Sequence, residues 1–229
     1  REYCLGQRID PDLLLTTCAK LSAARYAFFR ALRGQRISNL SQKAGRLMVT
    51  AVKLSELRSL LIEMDFHPSR ALGQSFLIDG NILDILLEAA DVKARDQILE
   101  VGPGLGAVTE RLVDAARRVV AVEKDRRLFG YLQKRFSNNK NVELICADML
   151  ELDTQALLKS GINKVVSNLP YSAGSRILVN LAMAESAPER IIVTIQQEVA
   201  ERLAATAGER NYSKLSVWLQ LDYDIELVK

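Results

Sequence analysis

Histidine is nearly absent from this chain of 229 residues: His67 stands alone, beside three cysteines, one tryptophan and five prolines. Cys4, Cys18 and Cys146 are odd in number and widely spaced, which fits reduced thiols better than a disulfide framework. A single imidazole also leaves a structural metal short of its ordinary ligands, so no metal is expected. No run of 18 apolar residues occurs, and no apolar run leads into a small-residue cleavage site, so neither a membrane span nor a secretory signal is supported. These absences predict a cytoplasmic protein that does not meet a membrane; a monomer is expected. What is present is a 48% hydrophobic composition, enough for one substantial α/β core or for one domain and a small appendage.

The net charge of +3 is unevenly distributed. Residues 1–60 hold 11 Lys and Arg against 4 Asp and Glu, and the remainder holds 20 against 24. Within the basic part, Asp10-Pro11-Asp12 reads as a helix start and Gly34 as a stop, with Leu14, Cys18, Leu21, Phe28 and Leu32 near helical spacing between them. A second periodic set runs from Leu40 through Leu47 to Leu61 and Met64, ahead of His67-Pro68. Residues 1–66 therefore predict two or three helices, of which 1–51 form a basic helical extension of unknown role. Arg25, Arg30, Arg33, Arg36, Lys43 and Arg46 fit an RNA-facing stripe, a removable acid-poor targeting segment or a solvated helix face.

From residue 80 the texture changes to short β-branched runs alternating with helical patterns, which predicts βαβ units on a parallel sheet. Strands are expected at 97–101, 119–123, 142–147, 164–167, 190–195 and 223–228. Helices are expected at 82–90, 108–115, 126–136, 154–159, 175–184, 198–205 and 214–220. In such a doubly wound α/β sheet, ligands bind at the carboxyl ends of the strands, so functional residues should follow strands.

The first strand runs into Gly102-Pro103-Gly104-Leu105-Gly106, where glycines allow a sharp turn and close approach to a nucleotide-like ligand. Gly102-x-Gly104-x-x-Ala107, with Glu123 nineteen residues beyond Gly104, also fits a dinucleotide fingerprint, so NAD is an alternative. Two acids favour S-adenosylmethionine. Glu100 would repel a pyrophosphate but suits a cationic ligand end, and Asp148, after the third strand, is placed to accept from an adenine amine. After the fourth strand comes Asn168-Leu169-Pro170-Tyr171. An adenine amine is a poor nucleophile because its lone pair is delocalised into the ring. The Asn168 oxygen and a backbone carbonyl at Leu169 would accept its two hydrogens and aim the lone pair at a methyl group. Pro170 would stiffen the loop, and Tyr171 would offer a ring for a flipped base.

These stretches, together with Leu72 to Leu77, Val122 to Asp125, Ala147 to Leu150, Gln197 to Leu203 and Tyr212 to Ser216, resemble the KsgA-type ribosomal RNA adenine dimethyltransferases, relatives of the Erm enzymes. The resemblance begins near Val52 and implies a Rossmann-like fold that transfers methyl groups from S-adenosylmethionine to N6 of adenines in small-subunit ribosomal RNA. The implied partners are ribosomal RNA and the small ribosomal subunit. It implies cofactor binding by Gln74, Ser75, Phe76, Leu77, Glu100, Gly102, Gly104, Glu123, Lys124, Asp148, Met149 and Asn168. It implies a catalytic role for Asn168, Leu169, Pro170 and Tyr171. Ser75 stands where the family usually has Asn, residues 1–51 have no counterpart, and the family's C-terminal helical domain is expected to be missing. An Erm-type large-subunit methyltransferase and a catalytically weak RNA-binding assembly factor are the alternatives.

Overall fold

In a computed structural model the described residues are 26–33 and 80–228, with side chains from Arg33 onward. Seven strands form one sheet: β1 (Tyr26–Arg33), β2 (Gln97–Val101), β3 (Arg118–Glu123), β4 (Val142–Cys146), β5 (Lys164–Asn168), β6 (Arg190–Gln196) and β7 (Tyr223–Leu227). Their order is β4-β3-β2-β5-β6-β1-β7. The helices are α1 (Gly80–Ala90), α2 (Ala107–Ala115), α3 (Arg126–Arg135), α4 (Thr154–Lys159), α5 (Gly174–Ala182), α6 (Gln197–Ala204) and α7 (Lys214–Gln220).

Alternation along the strands builds the three layers. Ile98, Val119, Val166 and Ile192 point to one face, where Leu83 and Leu86 of α1, Leu112 of α2 and Leu132 of α3 cover them. Leu99, Val120, Val165 and Ile191 point to the other, against Leu158 of α4, Leu178 of α5, Leu203 of α6 and Leu219 of α7. Helices on both faces leave the central strands no wet side, which is why β2, β3, β5 and β6 read as nearly continuous apolar runs. The bounds expected for β2, α4 and α7 are those observed, and the other elements from residue 80 onward differ by one or two residues at one end or, for α5 and α6, at both.

The N-terminal segment departs from its expected structure. Residues 26–33 form a strand, not part of a helix, and the strand pairs antiparallel with β6 (Phe29 opposite Val193) and with β7 (Ala31 opposite Ile225). β6 and β7 thus run parallel to each other with β1 between them. Placed there, its backbone finds ladder partners on two sides, and tertiary pairing overrides a weak helical periodicity. The remainder of residues 1–51, and the helices expected across 40–66, lie outside the described residues.

Chain order reverses between β2 and β5. From β2 the chain winds outward through β3 to β4, and then returns to β5 on the other side of β2. Loops leaving β2 and β5 diverge at this switch point, which opens the crevice where doubly wound sheets bind ligands.

At the opposite, amino-terminal ends of the same two strands lies a buried ionic network. Lys164 Nζ meets Asp96 Oδ2 at 2.6 Å, with side chains only 5% and 2% exposed. It also donates to the carbonyls of Ala90 and Asp91 at 3.1 and 2.7 Å. Asn163 Nδ2 donates to the other Asp96 oxygen at 2.9 Å, and Asn163 Oδ1 accepts from Gln97 N at 2.8 Å. Every oxygen of the carboxylate is thereby engaged, the condition for keeping an ion pair in the interior.

Candidate active site at the switch point

β2 ends on Val101, whose N–H donates to Ser167 Oγ at 2.8 Å. That buried bond fixes the exit of β2 to the exit of β5. Gly102 follows at φ +69, in the left-handed region that side chains rarely adopt. A Cβ built there would lie 3.8 Å from Pro170 Cδ, so the glycine loop and the Asn168–Tyr171 loop sit in contact range. Gly106, at φ +83, is the N-cap of α2. A Cβ on it would fall 2.8 Å from Phe136 Cε2, so glycine lets α2 pack closely on the end of α3. Arg135 braces the loop from outside, donating to Leu105 O at 3.0 Å and pairing with Glu110 at 2.7 Å.

Three acids leave successive strands around this loop. Glu100 is fully buried and accepts from Thr109 Oγ1 at 2.7 Å. Burial lifts its carboxyl to about 8, opposed by the Thr109 hydroxyl and helped by the Glu123 charge. At neutral pH the group is therefore mostly protonated, which alters the expectation of a standing negative charge under the loop. A cation brought to the site favours the ionised form and restores that charge.

The raised value makes stability depend on pH with a defined sign. Between the ordinary 4.5 and the folded value of about 8, the folded chain holds a proton that the unfolded chain has released. The Glu100 contribution is thus fully present below pH 4.5 and is lost as pH rises through 8. Glu100→Gln removes this dependence. Wild-type stability measured against that variant by urea unfolding, without cofactor, should fall by up to about 1.4 kcal/mol per pH unit across the window. A flat difference from pH 5 to 8 would show that Glu100 keeps an ordinary pKa.

Glu123, at the end of β3 and 6% exposed, accepts from Gly104 N at 3.1 Å through Oε2 and from Asp125 N at 2.9 Å through Oε1. Burial raises its pKa despite these bonds. Each oxygen retains a second lone pair, so the carboxylate can also accept from a ligand's hydroxyls. Asp148, just beyond β4, accepts from Leu150 N at 2.9 Å and pairs with Lys124 Nζ at 2.7 Å. The Lys124 hydrogen bond holds its carboxyl below the ordinary range. Lys124 itself is exposed, and Met149 packs into the core under Asp148.

β5 delivers the other loop. Asn168 is its last residue and lies beside Thr194 of β6 in the ladder. Thr194 Oγ1 donates to Asn168 Oδ1, and Thr194 O accepts from Leu169 N at 3.1 Å. Leu169 buries its side chain in the core at 1% exposure, so any contribution it makes to a ligand comes from its backbone. Pro170 O accepts from Gly174 N at 2.8 Å, turning the chain into α5 and leaving Pro170 and Tyr171 half-buried at the crevice.

The structure thus gathers Glu100, Gly102, Gly104, Glu123, Lys124, Asp148, Asn168 and Pro170 at the carboxyl edge of β2, β3, β4 and β5. Gln74, Ser75, Phe76 and Leu77 lie outside the described residues. Ser167, Thr109, Arg135 and Thr194 had no signal in the sequence, because each acquires its role from a residue on another element. Among the described residues no group of three or more His, Cys, Asp or Glu is arranged to hold a metal ion.

Comparison with known proteins points in one direction. Residues 66–229 match the family model for ribosomal RNA adenine dimethylase. The ribosomal RNA small subunit methyltransferase A of Natranaerobius thermophilus is 34% identical over 189 residues, covering 75% of this chain and 63% of that protein. Among solved structures, a dimethyladenosine transferase from Plasmodium falciparum superposes with a TM-score of 0.56 at 28% identity, covering 62% of this chain and 51% of the other. The 23S rRNA methyltransferase ErmE superposes with a TM-score of 0.52, also at 28% identity, covering 62% and 56%. The chain spans about three fifths of the length of the curated relatives it matches. Its glycine loop, its three strand-end acids and its Asn168–Tyr171 loop all fall within the matched region, and the chain belongs to the ribosomal RNA adenine dimethylase family.

Proposed function

We propose that this chain transfers methyl groups from S-adenosylmethionine to N6 of adenines in small-subunit ribosomal RNA, dimethylating them during ribosome assembly in the cytoplasm, and that it acts as a monomer. The observation that carries the reading is the close approach of the two loops at the switch point, where a Cβ on Gly102 would meet Pro170 Cδ at 3.8 Å. It brings a cofactor-type loop and an amine-holding loop to one crevice. In this reading residues 52–229 are the methyltransferase domain, and β1 is a strand added to its sheet from the N-terminal extension.

The residues present fit the cofactor. Glu123 offers paired acceptors to a ribose diol, and Asp148 an acceptor to an adenine amine. Glu100, buried under the loop, gains its charge when a cation arrives. Bound S-adenosylmethionine supplies an electrophilic methyl group on sulfur. The protein's part is to hold the target amine. Asn168 Oδ1 and the Leu169 carbonyl accept its hydrogens, drawing the nitrogen toward the pyramidal form whose lone pair can attack. Tyr171 stacks on the flipped base, and Pro170 keeps both from swinging away. No strong general base is required, because the nitrogen becomes acidic once it carries the additional methyl.

Glu123→Ala should weaken S-adenosylmethionine binding by about 1–3 kcal/mol, the usual cost of losing a charge-assisted hydrogen bond. Calorimetry reads this directly, and an unchanged dissociation constant would remove Glu123 from the pocket.

The likeness to ErmE supports a second reading, in which large-subunit ribosomal RNA is the substrate. Tritiated-methyl incorporation separates the two. Label in undermethylated small subunits and none in large-subunit RNA is expected, and the reverse pattern would favour the second reading. Cofactor binding without incorporation into either would favour an assembly factor.

A further inference from the structure

We propose that Thr194 is a positioning residue for methyl transfer, setting through its hydroxyl the orientation in which Asn168 meets the target amine. The inference rests on the role given to Asn168 above. Thr194 lies near the end of β6, has no exposed surface, and stands directly beside Asn168 in the parallel ladder. It holds the loop twice, since its carbonyl accepts from Leu169 N at 3.1 Å and its hydroxyl donates to Asn168 Oδ1.

The chemistry of a carboxamide gives the second contact its meaning. One end of the group only accepts and the other only donates, and the two ends exchange places when χ2 turns by half a revolution. An adenine amine presents two donors. With the oxygen toward the substrate the contact is attractive, and with the NH2 toward it two donors oppose each other. A buried hydroxyl hydrogen needs an acceptor, and Asn168 Oδ1 is the one it uses. Turning the carboxamide over would set Nδ2 against the Thr194 hydroxyl, which would then have to accept, leaving its own buried hydrogen without the acceptor it now uses. Thr194 thereby holds Oδ1 at a fixed place. The carboxamide is oriented before substrate arrives, which lowers the barrier to transfer without adding a contact to the ligand.

The test compares Thr194→Val with Thr194→Ser and Asn168→Ala in single-turnover and steady-state methylation of undermethylated small subunits, with S-adenosylhomocysteine affinity measured alongside. Val keeps the shape and the backbone bond to Leu169 but has no hydroxyl. It is expected to lower kcat by roughly 10–100-fold, the loss of one buried hydrogen bond at the reacting group, and to leave KM and cofactor affinity within about twofold. Ser restores the hydroxyl and should recover most of the rate, which a role in packing alone would not allow. If the Val form fails to fold, seen as lost cofactor binding, Thr194→Ala removes the hydroxyl without placing a second methyl there and is read the same way. Full kcat in the hydroxyl-free variant beside an inactive Asn168→Ala overturns the Thr194 proposal and leaves the Asn168 reading intact. A Ser variant as slow as the Val variant overturns it equally. An active Asn168→Ala overturns both.

Discussion

Asn168→Ala should abolish methyl transfer, lowering turnover by at least about 10²–10³-fold, the cost of removing one preorganised polar contact to a reacting group. Affinity for S-adenosylmethionine should remain nearly unchanged. The split between the two measurements follows from position. Asn168 ends β5 and is held by Thr194 from the neighbouring strand, whereas the glycine loop and the Glu123 carboxylate belong to the exits of β2 and β3. Deleting the carboxamide leaves those supports standing. Rapid-quench kinetics and calorimetry on one preparation provide both numbers. Activity within tenfold of wild type would show that the target amine is held by other groups, and a parallel loss of cofactor affinity would show that the residue supports the pocket as a whole.

The largest loss of stability is expected far from the chemistry, at the amino-terminal ends of β2 and β5. Asp96→Ala removes the partner of Lys164 and leaves an ammonium group that is 5% exposed with only the carbonyls of Ala90 and Asp91. Breaking one side of a buried pair costs about 3–5 kcal/mol because the remaining charge has no compensation. Asn163 also loses an acceptor, and its other contact anchors Gln97. The same two strands carry the glycine loop and the Asn168 loop at their opposite ends, so partial loosening should reach the site as weakened cofactor binding. Replacing Asp96 and Lys164 together by apolar residues should cost much less than Asp96→Ala alone. Urea unfolding of the two variants checks the order, and equal destabilisation would mean that the pair's charge is not what matters.

Much of this arrangement was legible in the sequence, for physical reasons. Buried parallel strands must be apolar on both faces, so runs such as Gln97–Val101 and Arg190–Gln196 stand out from the helical patterns between them. Glycine at a positive φ cannot readily be replaced, so Gly102 to Gly106 marks a special turn before any ligand is considered. Strand ends are where doubly wound sheets bind, which is why Glu123, Asp148 and Asn168 stand out. The N-terminal strand was misread because its partners, such as Thr194 opposite Phe28 and Ile225 opposite Ala31, are far away in sequence. Local periodicity contains nothing about them, although the aromatic Tyr26-Ala27-Phe28-Phe29 run suits a strand. The Lys124–Asp148 ion pair and the Thr194 contact are likewise products of neighbouring strand ends, invisible to spacing along a single element. The near-neutral state of Glu100 was missed for a related reason, since the sequence places an acid at the loop but does not reveal that the acid is sealed beneath it.

Methylation of the exocyclic amine of adenine in the crevice between the β2 and β5 loops, as proposed, leaves a product that identifies it. Its most direct measurement is nucleoside analysis of small-subunit ribosomal RNA after incubation with the protein and methyl-labelled S-adenosylmethionine. The expected product is adenosine bearing label only on N6, accumulating as the dimethylated nucleoside, and absent when Asn168→Ala replaces the wild type. Label on a ring nitrogen, on a different base or on the ribose would rule out the proposed reaction, as would N6 label undiminished in the Asn168→Ala variant.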